Sequence, residues 1–164
     1  MAAARILSGI IYVAFACSAG MPGSDLLRIA RAEIGVREKS GRNDGKRVEQ
    51  YLHCVGLNRG EPYCAAFVSF CFKQAGHAAP RTGWSPDLFP SKTLVKQPVP
   101  GNVFGVYFPE LKRIAHCGLV SGLHTDWVMT IEGNTNASGG RDGEGVYARR
   151  RHKRTIRCYA DWLP

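Results

Sequence analysis

The chain has 164 residues, 45% of them apolar and 10% aromatic, which supports one domain with a real core and is too short for two ordinary ones. That composition excludes a disordered chain. Lys and Arg number 22 against 13 Asp and Glu, a formal charge of +9. Such a balance favours polyanionic partners (nucleic acid, anionic lipid or an acidic cell-wall polymer) without choosing among them.

Residues 1–20 read as an export signal ahead of a domain at 21–164. Arg5 is followed by the apolar run Ile6–Ala16, short for a bilayer-spanning helix and the right length for a signal-peptide core. Ala14-Phe15-Ala16 and Cys17-Ser18-Ala19 each have the small-x-small form of a cleavage site. Cys17 is a candidate for lipid anchoring of the kind found in bacterial lipoproteins, although the bulky Phe15 departs from that motif. The expected location is the periplasm, the cell envelope or the exterior. In a compartment that permits disulfides, Cys54, Cys64, Cys71, Cys117 and Cys158 are compatible with two bridges and one free thiol, or with five buried thiols. Their spacing matches no zinc-ligand pattern, and no metal is expected.

Asp25–Glu38 places Leu26, Ile29, Ala30 and Ile34 on one helical stripe, with Gly35 expected to end it early by its backbone freedom. Lys46–Val55 reads as a second helix closed by Gly56. A third begins at Pro62, runs through YCAAFVSFCFKQA to Gly76, and is apolar on nearly every side, which places it centrally. Residues 77–100 hold five of the nine prolines and read as a long surface connection. Short β-branched and aromatic runs follow at Val103–Phe108, Ala115–Ser121, Trp127–Glu132, Gly145–Arg149 and Thr155–Tyr159. Helices followed by consecutive strands imply an α+β fold, N-terminal helices packed on an antiparallel β-sheet, with neither an internal repeat nor a second domain.

Cys64 falls in the first turn of the third helix, where the helix dipole and free backbone N–H groups favour thiolate. A cysteine nucleophile needs a base, and the base needs an orienting group. His116 opens the strand AHCGLV and Glu132 ends VMTIEGN, so neighbouring antiparallel strands would present the two side by side, facing the helix terminus.

EPYCAAFVSFCF, PGNVFGVYF, AHCGLV and TIEGNTN, in that order, resemble the CHAP domain (cysteine, histidine-dependent amidohydrolase/peptidase) of the NlpC/P60 superfamily of papain-like cell-wall hydrolases. The likeness spans most of the chain after residue 25. It implies a papain-like fold with Cys64 as nucleophile at the start of the central helix, His116 as base, and Glu132 and Asn134 as polar helpers. Tyr63, which precedes the nucleophile, and Trp84, in the long connection, are the substrate-binding candidates; packing is an equal reading for Trp84. Cys117 stands where the family carries an aliphatic residue, and Asn102 where it commonly carries Asp.

The implied activity is hydrolysis of peptidoglycan amide bonds through a thioester, without cofactor, as an N-acetylmuramoyl-L-alanine amidase or an endopeptidase. The competing readings are an inactive cationic wall-binding module and an antibacterial toxin with the same chemistry. Cys71 and Cys117 are expected as core residues, Cys117 alternatively as a disulfide partner. His53, His77, His124 and His152 are expected at the surface, and Asn134–Gly145 as a hairpin loop beside the site. The basic run Arg149–Arg154 reads as a solvated strand end and turn, or as a contact for anionic wall polymer or lipid. No stacking-aromatic motif accompanies it, so nucleic acid is not an expected partner. The protein is expected to be a monomer.

Overall fold

The computed structural model describes residues 24–137 and 143–164. The export reading of residues 1–20, Cys17 included, and the middle of the 134–145 loop lie outside the described residues. No described helix is long and apolar enough to cross a membrane.

Three helices lead the fold. Helix α1, Ser24–Ala32, buries Leu26, Leu27 and Ala30. It ends sooner than the apolar stripe, because Gly35 takes a left-handed backbone at φ 99° and turns the chain toward the sheet. Ile34 is consequently 41% exposed, and the backbone of Gly35 and Val36 bonds to Val146. Helix α2, Lys46–His53, buries Val48, Tyr51 and Leu52. Helix α3, Cys64–Gln74, is buried from Cys64 through Phe72, as its all-round apolar sequence requires. Tyr63, not Pro62, is the residue entering the helix, so Cys64 is the first helical residue. At the other end Gly76, at φ 83°, closes α3 with a bond from His77 N to Phe72 O.

Six antiparallel strands follow: β1 Leu94–Val95, β2 Val103–Phe108, β3 Arg113–His124, β4 Trp127–Thr135, β5 Gly145–His152 and β6 Cys158–Ala160. Their order across the sheet is β1-β6-β2-β3-β4-β5. The short β1 lies inside the segment read as irregular connection; two residues are too few for a periodic signal, and its strand character comes from pairing with β6. The last strand starts later than expected, because Lys153–Thr155 forms a 3-10 turn.

Side-chain alternation gives the sheet two different faces. Val103, Cys117, Leu119, Ile131 and Val146 point into the main core with the three helices. Phe104, Val120 and Val128 form a second, smaller cluster on the opposite face. Gly133 lets α3 press on the sheet, since a Cβ there would stand 2.6 Å from the Phe67 Cβ. The 77–100 segment is pinned where Thr82 N donates to Ser69 Oγ on α3 and Trp162 Nε1 donates to Leu88 O. The first of these contacts holds the 3-10 turn Ser85–Leu88 near the start of α3.

Candidate active site

Cys64 is 6% exposed at the first position of α3, with the positive end of the helix dipole behind it. Its Sγ lies 3.3 Å from Ser85 Oγ, and Cys117 directs its thiol to the same hydroxyl at 3.9 Å. The hydrogen bond offered by Cys117, followed by those of His116 and Ser85, outweighs burial and holds Cys64 well below the ordinary thiol range. Burial keeps the Cys117 thiol itself well above that range, so Cys117 remains the donor. A helix head with an imidazole beside it favours the thiolate, the form a cysteine nucleophile requires.

His116 and Glu132 lie on neighbouring strands, on the sheet face turned away from the helical core. The His116 ring stands edge-on to Phe104 of the second cluster and reaches Cys64 past the end of α3. Its Nε2–H donates to Glu132 Oε2 at 2.7 Å, which leaves Nδ1 as the nitrogen for Cys64. Burial opposes the charged ring, yet the hydrogen bonds to Cys64 and Glu132 raise His116 to about 9.

Glu132 is fully buried, and its carboxylate is held from three sides. Besides His116 it accepts from Thr130 Oγ1 at 2.5 Å and, in a fork, from Arg151 Nε at 2.7 Å and Nη2 at 2.5 Å. Burial would raise its pKa, but His116 and Arg151 hold it down to about 2. Gly118 makes room for this arrangement, since a Cβ there would stand 3.0 Å from Glu132 Cγ and 2.7 Å from Ile131 O.

Two cavities meet at Cys64. The larger, about 510 Å³, is lined by His116 and by polar and basic side chains including Asn43, Asn134, Arg149 and Arg151. The smaller, about 280 Å³, is more apolar and lies against Leu57, Trp84 and Ser85. Pro62, Cys64, Arg113 and Ala115 border both, which makes one groove passing over the thiol. Trp84 is 50% exposed on its wall, with the Arg113 guanidinium stacked 4.0 Å from the ring centroid.

Two of the residues predicted from the sequence do not join this arrangement. Tyr63 is completely buried, 6.0 Å from the Tyr51 ring, and borders neither cavity; it belongs to the core and not to a substrate surface. Asn134 borders the larger cavity, but its amide donates to Asn43 Oδ1 at 2.5 Å instead of joining the His116–Glu132 pair. The reason is a register shift between Glu132 and Thr135 that puts Asn134 in a left-handed backbone at φ 53° and re-aims its side chain.

Sequence reasoning missed Ser85, Cys117 and Arg151. Arg151 was legible in part, because a strand continued through the basic run alternates its side chains. Arg149 and Arg151 accordingly border the cavity, while Arg150 covers the Trp127 ring. The run Arg149–Arg154 is therefore not one solvated face. Ser85 had no signal, since only the tertiary fold brings the connection to α3. All five described cysteines are free thiols. Among the described residues no group of three His, Cys, Asp or Glu side chains is placed to hold a metal ion.

No protein-family model matches the chain, and no curated protein does. A similar solved structure is "The crystal structure of Ly7917 with the hydrolyzing product of MDP", 15% identical, with a TM-score of 0.47. The likeness covers 82% of this chain and 60% of that one, so the chain spans three-fifths of that protein's length. At that similarity the functional reading stands on the residues of the site.

Proposed function

We propose that the protein is a papain-like cysteine amidohydrolase of the CHAP type, exported to the cell envelope, that cleaves amide bonds of peptidoglycan. The observation that carries the chemistry is Cys64 at the head of α3, beneath a two-sided groove, with His116 held against it by the buried Glu132. The sequence resemblance around these residues supplies the substrate class.

In this reading the Cys64 thiolate attacks the carbonyl carbon of the bound amide. The negative oxygen that forms faces the Cys64 backbone N–H, one of the free donors of the first helical turn. The His116 imidazolium gives its proton to the departing amine, the C–N bond breaks, and a thioester remains on Cys64. Neutral His116 then takes a proton from water as it attacks the thioester, and the carboxylic acid product leaves the restored thiolate–imidazolium pair. Glu132 stays ionised throughout, since it serves to orient and stabilise the charged ring. Asn134, on the cavity wall, contacts substrate in this scheme and does not touch the imidazole.

The test is digestion of purified peptidoglycan by the wild type beside Cys64→Ser, with products identified by mass spectrometry. Release of fragments by the wild type alone is the expected result. New amino termini with stripped or intact glycan strands then distinguish an amidase from an endopeptidase. Equal silence of both proteins across several wall chemotypes, with both pelleting alongside the wall, would replace the hydrolase with a binding module.

A further inference from the structure

The hydrolytic scheme uses one of two consecutive β3 residues that touch the nucleophile. His116 supplies the proton; Cys117, its neighbour, takes no part in the steps. Yet Cys117 is placed with care. Its sulfur and that of Cys64 approach the same Ser85 hydroxyl, at 3.9 and 3.3 Å, so both thiols converge on one buried point. Cys64 borders both cavities, so a small solute in the groove reaches it. Cys117 has no exposed surface and borders neither cavity. Hence one thiol of the pair meets solutes, and the other is enclosed by protein.

We propose that Cys64 and Cys117 form a thiol-oxidation site, in which a hydroperoxide oxidises Cys64 and Cys117 then closes an intramolecular disulfide that a thiol reductant reopens. The Cys64 thiolate attacks one oxygen of hydrogen peroxide and the O–O bond breaks. Cys64 becomes a sulfenic acid, and the other oxygen leaves as hydroxide. The Cys117 sulfur then attacks the sulfenic sulfur; the S–O bond breaks, and the hydroxyl leaves with the Cys117 proton as water. Two electrons pass from the two thiols to the peroxide. Reduction follows ordinary exchange, with a reductant thiolate attacking the bridge and a second thiol releasing it. While the bridge stands, the nucleophile is capped. Without Cys117, the sulfenic acid lies open to a second peroxide and proceeds to sulfinic acid, from which thiols do not recover it.

The inactivation part of this proposal rests on the hydrolase reading; the bridge itself does not. The full chain is treated with hydrogen peroxide, its remaining thiols are alkylated, and its peptides are mapped by mass spectrometry, beside Cys117→Val and Cys117→Ser. The wild type is expected to yield one cross-linked species joining the Cys64 and Cys117 peptides, lost on treatment with dithiothreitol. In both variants Cys64 is expected to appear as sulfinic acid instead. Where peptidoglycan hydrolysis is measured, dithiothreitol restores it in the wild type and not in the variants. Thermal melts identify a variant that fails to fold, and the wild-type cross-link decides the matter even if both do. Absence of a Cys64–Cys117 species, or bridging of Cys64 to Cys54, Cys71 or Cys158, would overturn the proposal. A protein that forms the bridge and hydrolyses nothing keeps this site and loses the proposed function.

Discussion

Arg151→Met keeps much of the side-chain stem but removes the guanidinium, which forks onto Glu132 and lies over the Phe104 ring. Glu132 is completely buried and would be left with His116 and Thr130 as donors. Breaking a buried pair by removing one partner costs about 3–5 kcal/mol, because the survivor keeps its desolvation penalty. Arg151 is 21% exposed and two donors remain, so the lower end applies, about 3 kcal/mol at neutral pH. The pH dependence has a definite sign. Glu132, held at about 2 against an ordinary 4.5, contributes stability that is present above the ordinary value and lost as pH falls through about 2. Without Arg151 the carboxyl pKa rises toward the ordinary value, so the acid loss is smaller and is complete at a higher pH. His116 loses a nearby cation and a competitor for Glu132, so its pKa climbs from about 9 and the alkaline limb of Cys64 chemistry moves upward. Urea unfolding at neutral and acid pH, together with the pH profile of hydrolysis, measures both effects. Arg151→Lys should fall between the two proteins, since an ammonium keeps the charge without the fork. A methionine variant with the wild-type unfolding midpoint and an unmoved alkaline limb would refute the assignment of Arg151 to Glu132.

Hydrolysis should decline on the alkaline side as His116 deprotonates near its raised pKa of about 9, and His116→Ala should abolish turnover and reduce the Cys64 thiolate fraction read by ultraviolet absorbance. Gly118→Ala forces a Cβ against Ile131 O and Glu132 Cγ, so calorimetry should show a loss of about 1–3 kcal/mol together with reduced activity. Trp84→Ala removes the aromatic groove wall under Arg113, and steady-state kinetics should show KM raised roughly 3–10-fold with kcat little changed. An unchanged KM would assign Trp84 to packing alone.

The parts of this molecule legible in the sequence are those governed by local pattern. The apolar run from Tyr63 to Phe72 is readable as the central helix because no face of it suits water, and Cys64 follows as a first-turn residue. The strands around His116 and Glu132 were readable from their β-branched composition, although β3 extends beyond the predicted run at both ends. Orientation was harder. Tyr63 is adjacent to Cys64 in sequence, but the entry into α3 turns its ring toward Tyr51. Asn134 follows Glu132 by two residues and would share its face in a regular strand; the register shift breaks that rule. Arg151 looked like solvated charge because composition marks a charged run without saying that a buried carboxylate lies across the sheet.

The alternation that misplaces such readings also explains how one strand approaches Cys64 from both of its faces. A β-strand sends successive side chains to opposite faces, so His116 and Cys117 look away from each other. Most positions opposite a strand meet one of such a pair. Cys64 meets both, because it stands at the end of α3, where the helical layer stops and the two faces of β3 come within reach of one atom. On the outer face His116 brings the polar relay of Glu132, Thr130 and Arg151. On the inner face Cys117 belongs to the core cluster, whose low polarity keeps its thiol protonated. A shift of β3 by a single residue would exchange these faces, placing a thiol against Glu132 and an imidazole in the apolar core. The register with β2, Gly105 opposite Cys117 and Val106 opposite His116, is thus a condition of the chemistry as much as of the fold.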